Sequence, residues 1–331
     1  MLLAAGAARG QNGTSEPPPA TQPFGIALEG FPYPYPVHLF PLTQEGEQLR
    51  MAYMDVAPRG DASGRTVVLL HGRNFPSSYW QSAIAALTGV GYRVIAPDQI
   101  DFGKSSKPPF DLHFDQLARK TRALLNELKV DKVSVIGHSM GGMLTVRLAR
   151  MYPELVDQIV LVAPIGLEDY RLYVPPIPAE RLAELEDQVT PESYLNQLIK
   201  GYSLTLSKQA LAPYVEARTN VKGSAEYPRW LRAFVNSAQM IWREPVVYEI
   251  PLLTQNVLFV MGENDHLAPG RDFAPEELRG KMGQNVELAQ ALAARMPHAR
   301  VDVFEGMGHL PHLEAPERFN ELVLEFLATP H

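Results

Sequence analysis

The sequence predicts an α/β protein, a doubly wound and mostly parallel sheet with an inserted helical cap. Three observations predict it. Short β-branched or aliphatic runs alternate with helix-period segments from Thr66 onward, the alternation breaks once between Ala163 and Asn256, and Gly137-His138-Ser139-Met140-Gly141 stands where a strand turns sharply into a helix. Strands joined through helices pair in parallel and are covered on both faces, which is why these runs are continuously apolar.

Residues 1–30 read as a leader. Leu2 to Ala8 is short, apolar and rich in small residues, like the remnant of an export signal, although no basic segment precedes it. The compartment therefore stays open between a secreted or periplasmic site and the cytoplasm. The tract from Gln11 to Pro23, with Pro17-Pro18-Pro19, reads as flexible or extended. Residues 31–165 form the first part of the core. Two runs, 37–42 and 48–56, flank Gln44-Glu45-Gly46 as a hairpin, and strands follow at 66–70, 92–96, 132–136 and 158–163. Helices are predicted over 78–87, 114–128 and 140–151. Residues 166–250 contain no clear strand, are rich in Tyr, Leu and Pro, and carry amphipathic pieces at 191–199 and 229–242. A compact domain does not tolerate so long a structureless connection, so this segment is read as a helical cap over the carboxyl edge of the sheet, where ligands bind. Residues 251–331 complete the core with strands at 256–261 and 300–304 and helices at 286–296 and 316–327.

Composition narrows the function. With 331 residues, 46% of them hydrophobic, the chain can bury a large core. A net charge of −7 and no clustered basic face argue against a nucleic-acid partner. The absence of cysteine removes disulfides, thiol catalysis and thiolate metal sites. No run is long and apolar enough to be an integral membrane segment. No cofactor or metal is implied, and the oligomeric state is left open.

The serine turn carries the chemistry. A serine on a strained strand-to-helix turn projects its hydroxyl above the sheet edge, and the close approach of strand and helix requires Gly137 and Gly141 beside it. Acyl transfer by such a serine also needs a base, a carboxylate to orient that base, and donors for the oxyanion. His309, in Gly306-Met307-Gly308-His309, leaves the last strand on a glycine-rich loop and is the candidate base, with His312 as its competitor. Asp265, reached from the strand at 256–261 through Gly262-Glu263-Asn264, is the candidate acid, with Glu263, Asp272, Glu168 and Asp169 as alternatives. His71 and His138 read as structural, and His266 as exposed beside the acid. Tyr170, Tyr173, Tyr194, Tyr202, Trp230, Phe234 and Trp242 are the cap aromatics, of which two or three are expected to line a pocket.

These motifs, in the order Ser, Asp, His, make the chain resemble the α/β-hydrolase superfamily, from the opening hairpin to the C-terminus apart from the cap. The resemblance includes His71-Gly72, the loop Pro97-Asp98-Gln99 through Phe102-Gly103-Lys104-Ser105, and Glu314-Ala315-Pro316-Glu317. It implies Ser139 as nucleophile and oxyanion donors at the backbone N–H of Met140 and of Arg73, with Asn74 as fallback for the second. Haloalkane dehalogenases and epoxide hydrolases differ in placing aspartate at the turn, and lipases with an HGGG-type loop differ from His71-Gly72-Arg73-Asn74. The Arg73 side chain either points to solvent or favours substrates bearing an anionic group. The implied activity is a cofactor-independent serine hydrolase acting on a small-molecule ester or lactone. C–C bond hydrolysis, perhydrolysis or proline-type peptide cleavage on the same residues is the alternative, and a non-catalytic small-molecule binder is the alternative from another class.

Overall fold

The computed structural model describes residues 23–329; most of the leader, including the export-signal and proline-tract readings, lies outside the described residues. Strand β1 (Val37–Gln44) and strand β2 (Glu47–Val56) pair antiparallel across a two-residue turn, with Glu45 at φ 52° and Gly46 at φ 81°. Positive φ at both turn residues matches the right-handed twist of the flanking strands. The remaining strands are β3 (Thr66–Leu70), β4 (Arg93–Pro97), β5 (Val133–His138), β6 (Val156–Val162), β7 (Asn256–Gly262) and β8 (Ala299–Phe304). Their order is β1-β2-β4-β3-β5-β6-β7-β8, parallel from β4 to β8. This is the doubly wound sheet expected from the sequence.

Alternate residues of each strand feed separate cores. Val68 and Leu70 of β3 join the core under helices α2 (Phe114–Glu127), α3 (Met140–Met151) and α9 (Asn285–Ala293), whereas Val67 and Leu69 join the core under α1 (Gln81–Gly89) and α11 (Pro316–Ala328). Helices α9 (Asn285–Ala293) and α11 (Pro316–Ala328) sit either side of β8, and two single turns, α8 (Glu276–Arg279) and α10 (Pro311–Glu314), precede them. The helix predicted over 78–87 opens as a 3-10 turn, Ser77–Trp80, before α1.

The segment between β6 and β7 contains α4 (Ala179–Asp187), α5 (Pro191–Asn196), α6 (Lys208–Thr219) and α7 (Tyr227–Arg243). Helix α7 buries Trp230, Ala233, Phe234, Ser237, Met240 and Ile241, a stripe of helical period. The leader boundary drawn at residue 30 falls inside a packed segment. Ile26, Leu28 and Phe31 are buried against Ala217, Val221, Trp230 and Phe234, the Phe24 amide donates to Asn220 Oδ1 at 2.6 Å, and the Tyr33 hydroxyl donates to Asp98 at 2.5 Å. Residues 24–33 thus tie α6 and α7 to the sheet. Among the described residues no helix is long and apolar enough to cross a membrane.

Candidate active site

Chain order builds the site. From β3 the chain moves outward to β4 and then returns to the far side of β3 for β5, so the crossovers leaving the carboxyl ends of β3 and β5 go to opposite faces and a crevice opens between them. Gly72 and Arg73 leave β3 there, and Ser139 leaves β5. Ser139 sits at φ 54°, ψ −119°, a conformation L-residues rarely adopt, and its N–H is held by the Val162 carbonyl at 3.0 Å. A Cβ at residue 137 would meet Gly141 and Thr145, and one at residue 141 would meet the Leu70 and His71 carbonyls, so the turn tolerates only glycine at both places.

Three sequence-predicted side chains meet at this turn. His309 Nε2 lies 3.0 Å from Ser139 Oγ, and His309 Nδ1 lies 2.9 Å from Asp265 Oδ2. Each of the two partners is only 1% exposed. A carboxylate can only accept, so Nδ1 carries the proton and Nε2 is free to accept from the serine hydroxyl. Asp265 Oδ1 accepts from the Leu267 amide at 3.1 Å, and Asn285 Nδ2 donates to the carbonyls of Asp265 and Leu267 at 3.1 and 3.0 Å, which pins the turn after β7. The alternative acids are occupied elsewhere: Glu168 accepts from the Gly283 amide, Asp169 binds Arg171 and Tyr248, and Glu263 accepts from the Gly306 amide. Asp272 is exposed.

The competitor base His312 is buried, its ring nitrogens without a hydrogen-bond partner among the described residues, and packs at 4.6 Å on Trp80 and 4.9 Å on Tyr79. Burial, then the nearby His309, lowers its pKa to about 3. His71 accepts from the Gln99 amide at 3.0 Å, and His266 is exposed with Nδ1 near the Gly283 carbonyl.

Two supports for the site rest on contacts that the sequence reading did not assign. Glu314 Oε2 accepts from the amides of Gly308 and Leu310 at 3.0 and 3.3 Å, gripping the loop on both sides of His309, while its Oε1 accepts from Thr205 of the cap. The His309 amide itself donates to the Tyr202 carbonyl at 2.9 Å. The second support is a relay through Tyr79. The His138 Nε2–H donates to the His309 carbonyl at 2.8 Å, which leaves Nδ1 to accept from the Tyr79 hydroxyl at 3.0 Å; the Tyr79 oxygen in turn accepts from the Gly72 amide at 3.0 Å. Burial, followed by His312 and His309, drives the His138 pKa well below the usual imidazole range, so the ring stays neutral in this role. Gly72 directly after His71, with an aromatic seven residues on, is the only sequence trace of this network.

The family model described as "Alpha/beta hydrolase family" matches residues 67–322. The chain belongs to the α/β hydrolase family. A probable hydrolytic enzyme from Pseudomonas aeruginosa is similar in structure, with 41% identity, a TM-score of 0.89, and coverage of 93% of this chain and 99% of that one. An uncharacterised protein of Mycobacterium tuberculosis is 30% identical over 282 residues, 81% of this chain and 76% of its own length. A 2-hydroxy-6-oxo-6-phenylhexa-2,4-dienoate hydrolase from Burkholderia cepacia is 28% identical over 274 residues, 80% of this chain and 88% of its own.

In this α/β hydrolase a cavity of about 590 Å³ lies over Ser139, between the sheet and the cap. Of the seven cap aromatics, Tyr202, Phe234 and Trp242 line it; Tyr170, Tyr173, Tyr194 and Trp230 do not. Met140 occupies the first position of α3, where a backbone N–H has no partner within its own helix. Among the described residues neither the Arg73 nor the Asn74 amide has an acceptor. Gly72 is pressed against the turn, since a Cβ there would lie 2.7 Å from His138 Nδ1 and 3.1 Å from Ser139 Cβ. The Arg73 side chain does not reach for solvent. Its Nε donates to Ser237 Oγ and its Nη2 to the Phe234 carbonyl, each at 2.8 Å, with the guanidinium 3.5 Å over the Phe234 ring. Burial, then the neighbouring Arg218, lowers the Arg73 pKa to about 10, and it remains a cation at neutral pH.

Proposed function

We propose that this α/β hydrolase is a serine hydrolase that cleaves a carboxylic ester or lactone through an acyl-enzyme. The observation that carries the reading is the continuous line from Asp265 through His309 to Ser139 Oγ, with contacts of 2.9 and 3.0 Å, under a cavity wide enough for a small ester. Ser139 Oγ attacks the acyl carbon as its proton passes to His309 Nε2. Asp265 holds the imidazolium through Nδ1–H. The carbonyl oxygen, now anionic, accepts from the amides of Met140 and Arg73, each donor contributing about 10²-fold or more. Collapse breaks the bond to the alcohol oxygen, which takes the proton from His309. Water then adds to the acyl-enzyme by the same route, releasing the acid and restoring Ser139, so that ester and water give acid and alcohol.

A second reading has one specific support, the similarity to a hydrolase whose name specifies a dienoate substrate, and relatives named 2-hydroxy-6-oxononadienedioate hydrolases share 27–29% identity. On that reading the same residues add water across a C–C bond next to a ketone. A fluorophosphonate probe followed by peptide mapping tests the shared core: the expected adduct is on Ser139 and disappears in Ser139→Ala. No adduct overturns both readings and leaves a non-catalytic binder; an adduct on another residue overturns both readings as well, because it places the nucleophile away from Ser139. Short-chain esters assayed beside a β-diketone then separate the two, and turnover of the diketone alone removes the ester assignment.

A further inference from the structure

The chain as a whole is acidic, with net charge −7, yet the cavity over Ser139 is walled by four arginines, Arg73, Arg218, Arg243 and Arg271, against two carboxylates, Glu186 and Asp272. Glu186 is fully committed. It binds Arg218 through two parallel contacts of 2.6 and 2.7 Å, and both side chains are buried. Arg73 has no carboxylate within ion-pair distance among the described residues; its Nε and Nη2 are satisfied by neutral oxygens, and Nη1 has no hydrogen-bond partner. Arg218 lies 3.6 Å from the centroid of the same Phe234 ring that Arg73 covers, so two cations share one ring. A half-buried cation lacking a counter-ion, with a like charge nearby, is an unfavourable arrangement that an incoming anion relieves.

We propose that the Arg73 guanidinium docks a carboxylate of the substrate, so that this hydrolase acts on acyl compounds bearing a second, anionic group a few bonds from the scissile carbonyl. The inference rests on the serine-hydrolase reading, which sets the scissile carbonyl oxygen against the Arg73 amide. The amide and the guanidinium belong to one residue, and the distance between the two substrate groups is therefore bounded by the length of one arginine side chain. Short dicarboxylate half-esters satisfy that spacing. The planar fork of arginine favours carboxylate over a diffuse anion, and the charge-assisted contact is worth about tenfold to a hundredfold in selectivity.

The test compares kcat/KM for monomethyl glutarate and methyl pentanoate, followed by NMR, with the full chain. The expected result is a preference of at least about tenfold for the charged ester, a tenfold or greater fall of that ratio in Arg73→Met, and partial recovery in Arg73→Lys. An equal or higher rate on the neutral ester in the wild type overturns the proposal and leaves the hydrolase reading standing. Calorimetry with glutarate on the Ser139→Ala protein is independent of turnover. Glutarate binding without hydrolysis of either ester sinks the hydrolase reading and keeps the anion site; no glutarate binding sinks the site. Should Arg73→Met not fold, the wild-type preference decides, since it must shrink as salt rises if a charge contact produces it.

Discussion

Replacing Tyr79 with phenylalanine removes one oxygen and breaks the relay between the two loops that flank Ser139. The ring keeps its stack on Phe75, at 5.5 Å between centroids, so packing changes little. Two buried groups lose their partners: the Gly72 amide, whose acceptor was the phenolic oxygen, and His138 Nδ1, whose donor was the phenolic hydrogen. A buried unsatisfied polar group costs about 1–3 kcal/mol, and the tyrosine hydroxyl no longer has to be desolvated, so the net loss is about 2–4 kcal/mol. With an unfolding entropy of roughly 2.1 cal/mol/K per residue, a chain of 331 residues loses roughly 3–6 °C of melting temperature. The kinetic effect follows from what each loop presents. Gly72 precedes the proposed donor Arg73, and His138 holds the carbonyl of His309, so loosening the relay lowers kcat about tenfold or more while KM stays nearly constant. Calorimetric melting with steady-state hydrolysis of a short-chain ester reads both quantities. A Tyr79→Phe protein melting within 1 °C of wild type with kcat/KM within about twofold would refute the reasoning.

His312→Phe tests the cost of a buried imidazole with no partner. His312, at about 3, and His138, held well below the usual imidazole range, are neutral when folded but take up protons when unfolded below about pH 6.5, so the unfolded state binds more protons there. Their contribution is fully present above pH 6.5 and is lost as pH falls, by up to about 1.4 kcal/mol per pH unit for each ring. Phenylalanine keeps the contacts with Trp80 and Tyr79 and removes one of these slopes; urea unfolding between pH 7.5 and 5 is expected to show a shallower pH dependence, and parallel curves would count against it. Gly262→Ala addresses the junction of acid and base. A Cβ at the end of β7 would strike the Gly308 carbonyl, forcing the His309 loop away from the Asp265 turn. Stability is expected to fall about 1–3 kcal/mol by overpacking, and kcat by a hundredfold or so with the Ser139 probe reacting more slowly; full activity would show that the loops are less tightly coupled than their contact implies.

The strands, their parallel order and the helices on both faces were legible in the sequence because burial on two faces leaves a continuous apolar run, and helical period survives in linear order. The glycines around Ser139 were legible for a similar reason: a close backbone approach leaves a local trace. Position in the chain singled out Asp265 as the candidate acid for His309, but it did not exclude Glu168, Asp169 or Glu263. All four acids sit at the carboxyl edge, and only the packing of Gly262 on Gly308 and the grip of Asn285 bring one of them within 2.9 Å of the imidazole. The fate of Arg73 was equally hidden, since it depends on where the cap lays Phe234 and Ser237, more than 160 residues along the chain. The same holds for residues 24–33, whose apolar side chains find partners only once α6 and α7 are in place. Local patterning determines which elements form and which face is covered; which side chains meet across a closed loop is decided by register and crossing angle, and those exist only in the assembled fold.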